Sequence, residues 1–202
     1  MQKDSPPIYL LSCGLFTESG VSMFKAGSYI VYGTKGVCKV DAIGSINVPG
    51  VDNCRLYYTL SPVSSPSGTI YTPVENSKVA MRNILSKEEA LQLIQEIPSI
   101  EAMKIPNDKE REQLFQQALL TCDCRETIRV IKTLYKKRIK RMEAGKNATA
   151  MDQRYLQYAQ DQLYGELAIV LDIEKTEVED YITTSIQKQK CMEDLEYEAC
   201  SD

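Results

Sequence analysis

The chain has 202 residues, 43% hydrophobic and 26% charged, with 24 Lys and Arg against 28 Asp and Glu for a net charge of −4. That length and apolar content suit one or two soluble domains with a buried core. Histidine is absent, which excludes Ser-His and Cys-His nucleophile pairs and removes the commonest general base and metal ligand.

The chain opens on "MQKDSPPIYLLSCGLF", in which "LLSCG" has the form of a lipoprotein cleavage box around Cys13. Lys3 is offset by Asp4, and Pro6-Pro7 leave only a short apolar run, whereas an export signal needs a basic start and a longer apolar core. Residues 1–22 are therefore expected to be a disordered extension of a cytoplasmic protein, or an over-long start assignment ahead of a domain that begins at Met23. The seven cysteines, at 13, 38, 54, 122, 124, 191 and 200, are odd in number and irregular in spacing, as reduced thiols are. Cys122-x-Cys124 lacks the spacer and the second pair of a zinc site. No metal, no cofactor and no membrane span are expected.

From Met23 to about Arg82 the side chains alternate with period two. In "GVCKVDAI" Cys38, Val40 and Ala42 share one face, and Lys39 and Asp41 the other. In "RLYYTL" Leu56, Tyr58 and Leu60 form one set, and "YIVY" and "GTIYTP" add two more strand-forming runs. Turn-rich "GTKG", "GSINVPGVDN" and "SPVSSPSG" separate them. Four or five short strands predict a small, strongly bent antiparallel barrel or sheet over residues 23–82. Gly33 and Gly36 bracket a hairpin turn and precede no helix, so they form no phosphate loop.

Helical signals begin at Ser86, where "SKEE" is a Ser-x-x-Glu capping box. Similar starts follow at Asn107, Asp123, Thr149 and Thr176. Helices are predicted over 86–97, 107–122, 124–144, 149–171 and 176–190. The first is expected to serve as a hinge, with 83–106 as helix and linker and 107–190 as a helical domain. Gly165, inside the fourth helix, predicts a close helix approach. The tail 191–202, with five acids in its last ten residues, is expected to fray. The fold class is α+β.

Charge is concentrated. From Arg125 to Lys146 there are nine Lys and Arg against two acids, and from Asp172 to Asp202 ten acids against three lysines. Within "CRETIRVIKTLYKKRIKRM", Arg125, Arg129, Lys132, Lys136 and Lys140 fall in a sector of roughly 80° at about 100° per residue. Such a ridge either tracks nucleic-acid phosphates or is a solvated face.

These residues resemble a known family. "FKAGSYIVYGTKGVCKVDAI", "YYTLSP", "IYTPVEN" and "MRNILSKEEALQLI", followed by "LLTCDCRETIRVIKTLYKK" and "MDQRYLQYAQDQLYGELA", look like the CarD/CdnL family of bacterial transcription regulators. The first domain of that family also occurs in transcription-repair coupling factor. The resemblance spans Met23 to about Tyr181. It implies a Tudor-like N-terminal barrel that binds the RNA polymerase β subunit through an exposed sheet edge, and a helical C-terminal domain that touches promoter DNA at the upstream edge of the bubble. The matching polymerase-binding positions are Ile46, Val48 and Tyr71; well-known members carry Arg at the positions of Ile46 and Tyr71, so charge pairing there is lost. The matching DNA-binding positions are Arg111, Lys132, Lys136, Lys137, Gln153 and Arg154, and Arg129 of the ridge joins them. Where members place a Trp wedge for the minor groove, this chain has Asp108, a carboxylate that cannot unstack bases.

Two functions of different class follow. The first is a non-enzymatic, monomeric regulator that binds RNA polymerase and promoter DNA backbone and modulates open-complex stability. The second is a protein–protein adaptor that uses the β domain without touching DNA.

Overall fold

The computed structural model of the chain describes residues 9–11, 14–16, 22–46, 55–65 and 67–199. They form two compact units that divide between Asn83 and Ile84.

The first unit is built from strands β1 (Tyr9–Leu11), β2 (Gly14–Phe16), β3 (Ser22–Met23), β4 (Tyr29–Tyr32), β5 (Val37–Gly44), β6 (Tyr57–Pro62), β7 (Ile70–Pro73) and β8 (Met81–Asn83). β4 to β8 form one antiparallel sheet of order β7-β6-β5-β4-β8. Its core is Ile30, Cys38, Val40, Tyr58, Leu60 and Val74. The Tyr58 hydroxyl accepts the backbone N–H of Phe24 at 3.0 Å, and the Phe24 ring lies 5.6 Å from the Tyr58 ring. Burial pushes the Cys38 thiol up to about 11. Between β4 and β5 the chain turns through a single 3-10 turn, Gly33–Lys35. Gly33 has φ +44°, and a Cβ there would lie 2.7 Å from Val79 Cγ1, so both backbone and packing demand glycine.

Four expectations are corrected in this unit. The strands do not close into a barrel: β7 and β8 end the sheet as its two edges. The alternation in "GVCKVDAI" breaks at a β-bulge at Asp41. Val40 pairs with Leu60, but Ala42 pairs with Thr59 and Ile43 with Tyr58. The extra residue turns Ala42 outward and Ile43 toward the core, and the Ser61 hydroxyl donates to the bulged Asp41 carboxylate. Leu56 precedes β6 and is exposed rather than sharing the inner face with Tyr58. Within 1–22, expected to lack structure, β1 and β2 pair antiparallel, and β2 pairs in turn with β3. Tyr9 and Phe16, which pair across β1 and β2, are aromatic residues that favour strands.

The second unit holds helices α1 (Lys87–Glu96), α2 (Arg111–Leu120), α3 (Cys124–Glu143), α4 (Ala150–Leu171) and α5 (Val178–Ala199). Ser86 forms the reciprocal capping box: the Glu89 N–H donates to Ser86 Oγ at 3.1 Å, and the Ser86 N–H donates to Glu89 Oε2 at 2.7 Å. Asp123 caps α3 through the Arg125 N–H, and Thr149 caps α4 through the Asp152 N–H. Asn107 instead forms a local turn by accepting the Lys109 N–H, so α2 starts at Arg111. Ahead of α5 the reciprocal box joins Glu174 and Glu177, with Thr176 inside the 3-10 turn it caps.

One core joins all five helices, with Ala90, Ile94, Phe115, Val130, Leu134, Leu163, Leu167 and Val178 among its members. α1 is therefore a core element of this unit, because its apolar stripe Ala90, Leu93, Ile94 is buried. The α1–α2 connection is also fastened: the Met103 N–H donates to Thr133 Oγ1 of α3 at 2.8 Å. Buried Glu166 on α4 accepts the Leu85 N–H at 2.9 Å and the Cys124 thiol at 3.3 Å, tying the starts of α1 and α3 to α4. Gly165 marks no close approach; a Cβ there would meet nothing within 4 Å. Among the described residues no helix is long and apolar enough to cross a membrane.

Candidate functional sites

In the first unit β7 pairs with β6 on one side and borders no other described strand. The registers align Ala42, Thr59 and Tyr71 across β5, β6 and β7. Because Thr72 is buried on the inner face, Tyr71 projects from the outer one, where it is 48% exposed. An exposed aromatic on an edge strand offers main-chain pairing groups and an amphipathic anchor side by side. Ile46 follows the end of β5 by two residues and is half-buried. Val48 lies outside the described residues.

In the second unit α3 is amphipathic as the sequence predicts. Thr127, Ile128, Val130, Ile131 and Leu134 are buried. The basic ridge, however, divides into two halves. Toward its N-terminal end the cations are held within the unit. Arg125 reaches Glu96 on α1 with Nη2 at 2.6 Å and Nε at 3.0 Å. Arg129 pairs with Glu126 at 2.7 Å. The Lys132 ammonium donates to the carbonyls of Ile97, of Pro98 at 3.2 Å and of Ile100 at 2.6 Å, in and just after the 3-10 turn that follows α1. Burial, and after it the charge of Lys136, lower the Lys132 pKa below its usual 10.5. Lys132 is thus a structural clamp and not an open phosphate contact.

Toward the C-terminal end the ridge opens. Lys136 and Lys140 are exposed, and a ridge cation without a protein acceptor is the kind that can neutralise a phosphate. Lys137 is turned inward, 3.4 Å from Asp152 and 3.5 Å from Asp108. On α4, Gln153 and Arg154 are exposed. Arg154 pairs with Glu112 at 2.7 Å and lies 5.2 Å over the Tyr155 ring.

Arg111, expected at a DNA-contacting position, is only 5% exposed. Its guanidinium pairs with Asp108 and lies 3.1 Å from Asp152. Asp108, at the position where the resemblance implies a Trp wedge, is exposed and serves as the outer acid of this network. The charges alternate along Asp108, Arg111, Asp152 and Lys137, so this corner is bound to itself.

Sequence reasoning missed Arg138 and Arg141, which lie off the ridge. Both line a pocket between the end of α3 and the start of α4. Their i,i+3 spacing was the available signal. Among the described residues, no three acids or cysteines cluster as metal ligands do.

Residues 24–85 match the family model of the CarD-like/TRCF RID domain, and residues 83–183 match that of the CarD C-terminal domain. No curated protein matches the chain.

Proposed function

The chain belongs to the CarD/CdnL family, and from that premise we propose that it is a cytoplasmic, monomeric, non-enzymatic regulator that docks on the β subunit of RNA polymerase. The first matched domain points to an RNA polymerase partner. The observation that carries the reading is exposed Tyr71 on edge strand β7. A polymerase strand adds to that edge by main-chain pairing, with Tyr71 as the side-chain anchor and Ile46 and Val48 contributing apolar contact beyond β5. Hydrophobic contact replaces the charge pairing of arginine-bearing relatives. Capture of purified RNA polymerase by the immobilised full chain tests this reading. Retention is expected for the wild type, and equal retention by Tyr71→Glu would refute the edge.

The second half of the proposal is DNA contact through phosphates. Lys136 and Lys140 of α3, with Gln153 and Arg154 of α4, supply it, and Arg129 adds charge from within its ion pair. Arg111, Lys132 and Lys137 hold the scaffold that presents them. Contact of this kind is salt-sensitive and indifferent to base sequence. On an open promoter complex it favours the melted state by fixing the upstream backbone without wedging bases apart.

One observation favours the narrower adaptor reading: Arg111, Arg125, Arg129, Lys132, Lys137 and Arg154 are all engaged within the unit. Filter binding of promoter DNA across a salt series separates the two. Affinity that falls steeply with salt supports DNA contact, and no binding at low salt leaves the adaptor.

A further inference from the structure

The end of α3 and the start of α4 border a surface pocket of about 410 Å³, lined by Leu134, Arg138, Arg141, Met142, Gln153 and Leu156 together with the connecting loop. That volume lies in the range of small-molecule sites. The walls divide by chemistry. Leu134, Met142 and Leu156 form an apolar side, and Arg138, Arg141 and Gln153 form a polar one.

The cations are arranged for a ligand. The Arg141 Nε–H donates to the Asn147 carbonyl at 2.7 Å, which ties the guanidinium to the loop and leaves the donors of its two terminal amino groups over in a side chain that lines the pocket. The loop itself is set by the Lys146 N–H on the Arg141 carbonyl at 2.8 Å and by Gly145 at φ +68°. Arg138 stands one turn away and makes no hydrogen bond or ion pair with the described residues. The acid in the wall, Asp152, does not oppose this charge. Its carboxylate is buried and faces Arg111 at 3.1 Å and Lys137 at 3.4 Å. Two guanidinium groups beside an apolar wall match a terminal phosphate or diphosphate carried on a planar or apolar body. A passing phosphodiester chain would use the charges but leave the apolar wall uncovered.

We infer that this pocket binds a small phosphorylated molecule of the nucleotide class, with the phosphate on Arg138 and Arg141 and the body against Leu134, Met142 and Leu156. The site lies within the helical unit and is independent of the polymerase-docking edge.

Fluorescence titration of the full chain with N-methylanthraniloyl-ADP tests it, with inorganic pyrophosphate and a duplex oligonucleotide as competitors. Saturable binding is expected, weakened at least about tenfold by Arg138→Glu and by Arg138→Gln combined with Arg141→Gln. Arg138 is exposed, so Arg138→Glu keeps the fold, and helical circular dichroism checks both variants. Pyrophosphate is expected to compete at least about tenfold more weakly than unlabelled ADP, because it cannot cover the apolar wall. The proposal is overturned by any of four results: no saturable signal, binding unchanged in the variants, pyrophosphate as potent as ADP, or displacement by the duplex that persists undiminished in Lys136→Glu combined with Lys140→Glu, which would make the pocket itself a backbone-phosphate site. Polymerase capture by the same variants is expected to match the wild type, so failure here and failure of the docking reading are separately visible.

Discussion

The guanidinium of Arg111 at the start of α2 lies 3.1 Å from the carboxylate of Asp152 in the first turn of α4, and both side chains are almost sealed from solvent. The approach is a charge contact between buried ions, reinforced by Lys137 on the acid and Asp108 on the base. Removing Arg111 leaves buried Asp152 with Lys137 as its one counter-ion among the described residues, at a cost of up to about 3–5 kcal/mol, whereas exchanging both buried partners for apolar residues is far milder. Arg111→Met is therefore expected to lower the urea midpoint sharply, and Arg111→Met with Asp152→Leu to recover much of the loss. An Arg111→Met protein of unchanged stability but weakened DNA affinity would return Arg111 to the interface.

Lys132 and Lys136 are one turn apart on α3 and have opposite fates. Lys132→Met leaves three carbonyls without their ammonium, and hydrogen bonds to a charged group contribute about 1.5–3 kcal/mol, so a loss of that size in unfolding free energy is expected. Lys136→Glu is expected to leave the thermal midpoint in place while weakening DNA binding uniformly across sequences. The slope of log affinity against log salt should fall by about one for each phosphate contact removed. A destabilised Lys136→Glu or an indifferent Lys132→Met would reverse the assignment.

Gly165 is open to a side chain, and glycine inside a helix costs about 0.5–1 kcal/mol relative to alanine. Gly165→Ala is expected to stabilise the chain by that amount, measured by urea unfolding. Destabilisation would mean that α4 needs the bare backbone.

Cys38 gives the β unit an alkaline limit. Its folded thiol titrates at about 11 against 9.0 for the ordinary thiol. A group whose folded pKa is raised contributes stability that is complete below the unfolded value and is lost as pH climbs through the folded one. Wild-type stability is thus expected to decline between pH 9 and 11, with a shallower decline in Cys38→Ala after its cavity cost is allowed for at pH 7. Identical slopes in the two proteins would remove the thiol as the cause. In the native chain at pH 8, Cys38 is expected to resist alkylation until the unit unfolds.

Local chemistry was legible in the residues and long-range chemistry was not. Ser86, Asp123 and Thr149 announce helix starts because a cap acts within three residues. The α+β order and the amphipathic α3 follow from periodicity for the same reason. The bulge at Asp41 was invisible: nothing in "KVDA" marks an unpaired residue, and one extra residue inverts the faces beyond it. An open sheet and a closed barrel share the same alternation, so closure could not be read either. The ridge was identified, but its partners were not. Glu96, which takes up Arg125, and the carbonyls that take up Lys132 lie about thirty residues away in the chain. The pocket residues Arg138 and Arg141 were overlooked because they continue the buried face of α3 past the point where the core ends.

The central claim is that the edge strand carrying Tyr71 docks RNA polymerase, and an affinity measurement between the full chain and the isolated β subunit tests it most directly. Tyr71→Ala is expected to weaken binding by about 2 kcal/mol or more, roughly thirtyfold, as truncation of an aromatic anchor does. Tyr71→Glu should abolish binding, while Lys136→Glu leaves it unchanged. Wild-type affinity in both Tyr71 variants would contradict the account.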